Sequence, residues 1–138
     1  MSVIVDAACL CSTACLPHMI EAGGGTIVNL GGMTGHSGAA HRAHVVTGNA
    51  AIAGMTEAFA LDLAEHGVTV NCVAPGFIDT LRGLPGAAPR PPGRSKPPPT
   101  GHMGRVEDVS VMGRLLCGPD GRYITGRTIH ANGGGLML

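Results

Sequence analysis

Three histidines, His36, His41 and His44, stand close together, with the hydroxyls of Ser37 and Thr47 beside them. Imidazole exchanges a proton near neutral pH, so His44 is a candidate general acid. Three imidazoles also raise the question of a cation. A metal centre would want an acidic or thiol partner in reach, and none lies nearby in sequence, so no metal is expected. The plainer reading makes His41 and His44 ordinary polar residues at the start of a helix. Five cysteines stand at positions 9, 11, 15, 72 and 117. Cys9-x-Cys11 has no second ligand cluster to complete a site. The cysteines are expected to be small buried hydrophobes in a reducing compartment.

The elements that must carry these groups alternate in type. Residues 3–21 are small and apolar with scattered polar positions and read as a helix. Ala22-Gly23-Gly24-Gly25 stops it, because glycine accepts the backbone that a helix end needs. Thr26 to Leu30 is β-branched and compatible with a buried strand. Gly31 to Gly38 reads as a loop. A long helix is expected from Ala40 to His66, where Ala50, Ala51, Gly54, Ala58, Leu61 and Ala64 offer small surfaces to a close neighbour. Val68 to Ala74 is a second strand, stopped by Pro75-Gly76. Pro85, Pro89, Pro91, Pro92, Pro97, Pro98 and Pro99 make residues 84–104 a proline-rich segment, read as a flexible solvated loop. Val106 to Cys117 is a helix with Glu107 and Asp108 in its first turn, where the dipole favours acids. Gly118 to Gly121 is a turn and Arg127 to Ala131 a last strand. Alternating helices and short apolar strands give an α/β layered fold with a parallel sheet. The 138 residues form one domain.

Composition excludes several partners. Nine basic residues balance nine acidic ones, so no net field draws the chain to nucleic acid or an anionic membrane. Aromatics are 2%, which removes the stacking platforms of a single-strand binder. Met1 to Leu16 is apolar, but it lacks an early Lys or Arg and Asp6 interrupts it. The expectation is a cytoplasmic protein with no stretch approaching a membrane span.

Three blocks carry a resemblance. The first is Leu16-Pro17-His18-Met19 with Gly24-Gly25-Thr26-Ile27-Val28-Asn29. The second runs from Ala50 through Leu63-Ala64 and Gly67-Val68-Thr69-Val70-Asn71-Cys72-Val73-Ala74-Pro75-Gly76-Phe77-Ile78-Asp79-Thr80. The third joins Gly104-Arg105-Val106-Glu107-Asp108-Val109 to Tyr123-Ile124-Thr125-Gly126 and the final Gly133-Gly134. Together they resemble the C-terminal half of a short-chain dehydrogenase/reductase. The resemblance implies a partial Rossmann-like, doubly wound parallel sheet and NAD or NADP as cofactor. It also implies reduction or oxidation of a small carbonyl or alcohol. Asn49, Pro75, Gly76, Phe77, Ile78 and Thr80 fall at cofactor-binding positions.

The family's reactive positions carry other residues here. A tyrosine that passes a proton to the substrate maps to Val45. The lysine four residues on maps to Asn49, the serine that positions the substrate oxygen to Gly32, and a supporting asparagine to near Ile4. Valine has no proton to give and glycine no hydroxyl. Asn49 can hydrogen-bond a ribose but brings no positive charge to depress a neighbouring pKa. His44 is adjacent to the tyrosine position, but one helical step turns a side chain by about 100°. The glycine-rich strand–turn–helix that seats a pyrophosphate has no counterpart in these residues; Gly23-Gly24-Gly25 lies between helix and strand, the wrong order. The expectation is therefore weak or no redox activity, in effect a truncated pseudoenzyme. The alternative is a non-catalytic oligomerising or partner-binding module. Thr26 to Leu30 should lie at a sheet edge. The family's two long helices form a dimer bundle, so a homo-oligomer, or association with a full-length subunit of the family, is expected.

Overall fold

The computed structural model describes residues 2–80 and 97–138. A π-helical turn, Ser2–Asp6, leads into helix α1, Ala7–Glu21. Strand β1 is Gly25–Leu30, and β2 is Val68–Pro75. Between them lie the short helix α2, Thr34–Ser37, and the long helix α3, Ala43–Leu63, which ends in a 3₁₀ turn at Ala64–His66. Helix α4, Val106–Cys117, and a 3₁₀ turn at Pro119–Gly121 precede strand β3, Thr128–Ala131.

The sheet has the order β1-β2-β3 and every pairing is parallel. Gly25 pairs with Val68 and Leu30 with Val73; Cys72 pairs with Thr128 and Pro75 with Ala131. All three strands therefore end on the same side. β2 is central and apolar, with Val68, Val70, Cys72, Val73 and Ala74 buried, as a strand covered on both faces must be. Ala60 and Leu63 of α3 close over Val68 and Val70, with Leu16, Met19, Ile27 and Phe59 packed against them. β1 is an edge among the described residues, as expected, and Leu30 at its end is 66% exposed.

The fully buried Asn71 is polar but satisfied. Its Nδ2 donates to the Ile124 carbonyl at 2.7 Å and its Oδ1 accepts from the Arg127 amide at 3.1 Å. The glycines before β1 do more than stop a helix. Gly24 has φ +140°, and a Cβ on it would lie 2.7 Å from the Gly67 carbonyl oxygen, so the starts of β1 and β2 touch backbone to backbone.

Several expectations need correction. The segment 31–38 is not all loop: Thr34–Ser37 closes one helical turn. The long helix begins at Ala43 rather than Ala40, because His41 takes a left-handed backbone, φ 59°, that no right-handed helix accommodates. Val3–Glu21 has mean hydropathy 1.7 and is long and apolar enough to cross a membrane, contrary to the expectation of no such stretch. In this fold it lies beside β1 through Leu16 and Met19. Only Cys72 among the cysteines is buried; Cys11, Cys15 and Cys117 are exposed and Cys9 is half-buried. Of the proline-rich segment, residues 84–96 lie outside the described residues. Its described end is docked, not free: Thr100 donates its amide to the Gly133 carbonyl at 3.1 Å, and Gly104 bridges Ile78 in parallel.

Candidate functional site

The C-terminal ends of parallel strands are where open α/β sheets bind ligands. Here those ends are Leu30-Gly31-Gly32 after β1, Pro75-Gly76 after β2 and Asn132 after β3. The backbone carries the parallel ladder beyond the strands: Gly31 donates to the Val73 carbonyl at 2.9 Å and Gly76 to the Ala131 carbonyl at 2.9 Å.

Gly32 and Asn49 meet at this end. A Cβ on Gly32 would fall 2.9 Å from Asn49 Nδ2 and 3.2 Å from its Cγ. Asn49 Nδ2 donates to Thr34 Oγ1 at 2.9 Å, and Thr34 is buried. The Asn49 amide thus lies over Gly32 and ties α3 to α2. Gly35 brings the two helices closer still, since a Cβ there would lie 2.7 Å from the Ala50 amide nitrogen. Val45, one turn before Asn49, is half-buried, whereas His44 is exposed. The two adjacent side chains thus lie in different surroundings, as the helical rotation requires. Ile4 packs on the same stretch of α3: its Cδ1 lies 3.1 Å from where a Cβ of Gly48 would be.

The segment after β2 is held from two sides. Gly76 sits against Asn132, whose Cα lies 2.6 Å from where a Cβ would be. Asn132 is itself fixed, donating Nδ2 to the Leu136 carbonyl and accepting the Gly134 amide. Gly104 donates to the Phe77 carbonyl at 2.9 Å, and its own carbonyl accepts the Asp79 amide at 2.8 Å. Pro75, Phe77 and Ile78 are half-buried and Thr80 is exposed. The sequence-derived positions thus share one end of the sheet, and among them the structure brings Gly32 and Asn49 into direct contact.

Residues that sequence reasoning did not single out also converge here. Thr34 is the partner of Asn49. Cys72 Sγ lies 2.8 Å from a Cβ position on Gly31, which is why the residue there has no side chain. Burial pushes the Cys72 thiol pKa up, with hydrogen bonds from the Gly31 backbone and Thr128 opposing it. His36 does not group with His41 and His44. Its ring meets His130 of β3, with centroids 5.1 Å apart and planes at 72°. His130 is held below the ordinary imidazole pKa by burial first and by His36 second. The sequence signal for His130 was a polar residue inside the short strand Thr-Ile-His-Ala.

Known proteins share this fold. The model of a family described as enoyl-(acyl carrier protein) reductase matches residues 1–135. The 3-oxoacyl-(acyl-carrier-protein) reductase FabG of Vibrio cholerae serotype O1 is 35% identical over 127 residues, covering 92% of this chain and 52% of its own. The reductase of the same name from Pseudomonas aeruginosa is 35% identical over 128 residues, covering 91% of this chain and 51% of its own. Among solved structures, acetoin dehydrogenase YohF from Salmonella typhimurium superposes with TM-score 0.84 at 31% identity, over 96% of this chain and 53% of that one. Acetoin dehydrogenase from Enterobacter cloacae gives TM-score 0.82 at 30% identity, over 97% and 53%. The chain therefore spans about half the length of the relatives it matches.

Proposed function

The chain belongs to the short-chain dehydrogenase/reductase family, and from that footing we propose that it is an oxidoreductase scaffold whose own residues support little or no hydride-transfer turnover. The nominal reaction is interconversion of a small carbonyl and its alcohol with NAD or NADP. One observation supports the reading most: the Asn49 amide is engaged by Thr34 and lies over Gly32. By the family resemblance these correspond to the lysine and serine positions, so on this reading an uncharged, hydrogen-bonded plug stands where a cation and a hydroxyl would act. Val45 adds no proton donor. Removing general acid catalysis alone costs about 10²–10⁴-fold in rate.

Gly76, in the segment that would face the nicotinamide, is glycine because Asn132 leaves no room for a Cβ. Gly24 is glycine because Gly67 does the same. Neither is a cradle kept open for phosphate. We therefore route no reaction step through the cofactor. Asn49, Pro75, Gly76, Phe77, Ile78 and Thr80 remain the positions proposed to meet its nicotinamide end, with His44 a weak candidate acid.

A second reading has its own support. α1 and α3 expose Leu10 at 69% and Leu61 at 82%, and β1 leaves one edge unpaired among the described residues. A non-catalytic module that self-associates through its two long helices, or docks on a full-length family subunit, would cover these surfaces.

The test is nicotinamide fluorescence on titration with NADH and NADPH, run alongside turnover of acetoin. The Val45→Tyr/Asn49→Lys double variant is assayed in parallel. The expected result is turnover at background in both proteins. Ordinary reductase rates in the unaltered chain, or robust rescue by the double variant, would refute the account of what is lacking.

A further inference from the structure

His130 of β3 keeps both ring nitrogens from water, and neither has a hydrogen-bond partner among the described residues. A neutral imidazole leaves one N–H and one lone pair unmet there; an imidazolium would leave two N–H donors and a charge. The protonated ring is therefore the form this site tolerates least. The ring packed on it is His36 of α2, edge to face, with centroids 5.1 Å apart. The other neighbours of β3 offer a charge no relief. β2 carries one titratable side chain, the buried Cys72, which stands beside Thr128 rather than His130. α4 carries Glu107, Asp108, Arg114 and Cys117, all exposed. His102, in the segment docked on Gly133, is exposed and has its Nδ1 3.1 Å from the Met103 carbonyl. What acts on His130 is burial first and His36 second.

The two sides of the contact are not equally held. β3 is fixed by its ladder: His130 pairs with Ala74, and Gly76 donates to the Ala131 carbonyl at 2.9 Å. α2 is a single turn, closed by the Ser37 and Gly38 amides on the Met33 and Thr34 carbonyls, with His36 and Ser37 exposed. One turn has no neighbouring turn to hold it, so it forms or frays as a unit. When the ring contact gives way, α2 is the side that yields. α2 also carries Thr34, whose hydroxyl accepts Asn49 Nδ2 at 2.9 Å and keeps that amide over Gly32. We propose that the His36–His130 contact is a pH-sensitive latch: closed while His130 is neutral, it holds α2 to β3 and Asn49 over Gly32, and on acidification it opens and releases both. His130 is held below its ordinary value of 6.5 while the latch is closed, so the open form binds the proton more tightly and gains ground as pH falls below 6.5. The latch goes beyond the redox reading, since it needs neither cofactor nor turnover.

The test is hydrogen exchange on the full chain, read by NMR from about pH 7.5 to about pH 5, across the imidazole range. Rates are corrected for the intrinsic pH dependence of exchange. The amides of Ser37 and Gly38 and the side-chain amide of Asn49 report on the latch. The amides shared by β1 and β2 report on the whole fold. Opening at the latch should rise by about threefold or more across that range, with about tenfold per pH unit the ceiling for a single proton. The β1–β2 amides should keep their protection. His130→Phe retains a ring that cannot take a proton, so α2 should stay protected at both ends of the range. His36→Ala removes an exposed ring, so the protein should fold, which a thermal melt checks, and α2 should open already at the upper pH. Unchanged α2 protection on acidification, the same pH dependence in His130→Phe, full α2 protection in His36→Ala at the upper pH, or β1–β2 amides opening in step with α2 would overturn the proposal.

Discussion

Gly32→Ser would put a hydroxyl at the position proposed to correspond to the family's serine, yet it should destabilise the protein. The new Cβ would sit 2.9 Å from Asn49 Nδ2 and 3.2 Å from Cγ, closer than carbon tolerates, so the amide must move. Moving it breaks the 2.9 Å bond to Thr34 Oγ1. Loss of that bond costs about 0.5–1.5 kcal/mol, and an off-rotamer Asn about the same. The expected penalty is therefore ~1–3 kcal/mol, within the range of overpacked sites. For a chain of this size each kcal/mol lowers Tm by about 3–5 °C. Asn49→Ala alone should cost a comparable amount, because it strands the buried Thr34 hydroxyl. In the double variant the clash is gone, and the introduced serine hydroxyl stands in the space the amide filled. The four proteins form a cycle, read by urea denaturation with circular dichroism. The double variant should be more stable than the sum of the singles by about 1–2 kcal/mol, the size expected of contacting residues. Additivity within about 0.5 kcal/mol would refute the claim that Asn49 fills the serine space.

Other outcomes follow from the same geometry. Gly35→Ala should cost more than Gly32→Ser, because its Cβ meets the rigid backbone of Asn49 and Ala50 at 2.7 Å rather than a side-chain end; denaturation midpoints compare the two. The His130 pKa is lowered on folding, so its contribution is fully present above the unfolded imidazole value of 6.5 and declines as pH falls through that value toward the folded one. Proton resonances should place the His130 midpoint below 6.5, and His36→Ala should raise it only in part, since burial is the larger cause. Alkylation of the native protein should label Cys11, Cys15 and Cys117 quickly and Cys72 only after unfolding, which peptide mass mapping can check.

Much of this architecture was readable from the residues. β-branched runs bounded by Gly and Pro placed β1 and β2 within a residue of their true limits, because buried parallel strands need little but apolar continuity. The 106–117 helix was equally plain, since an acidic first turn and a Gly-Pro stop mark its ends; Asp108 also caps it, accepting the Arg105 amide at 2.7 Å. The short helix at Thr34–Ser37 was not readable: one turn has no periodicity, and the contact of Gly35 with α3 that supports it is tertiary. The positions of Gly32 and Asn49 came from alignment, but their contact did not. Which of Cys9, Cys11 and Cys15 are exposed depends on how α1 lies against its neighbours, which composition does not specify. The partner of His36 lay far along the chain, and only the folded sheet brings it to α2.

Asn71 has a consequence for the order of assembly. β1 and β2 meet through the backbone approach of Gly24 and Gly67, while β3 is reached across a somewhat longer stretch of chain. The side chain of Asn71 must wait for the Ile124 carbonyl and the Arg127 amide, 53 and 56 positions away, to find its partners. Until then the Asn71 amide is left to water at the open edge of β2, and its buried bonds form only when the last strand docks. The longer loop makes closing β3 onto the sheet slightly costlier. Hydrogen exchange should therefore find the amides of β3 and Arg127 opening ahead of those shared by β1 and β2.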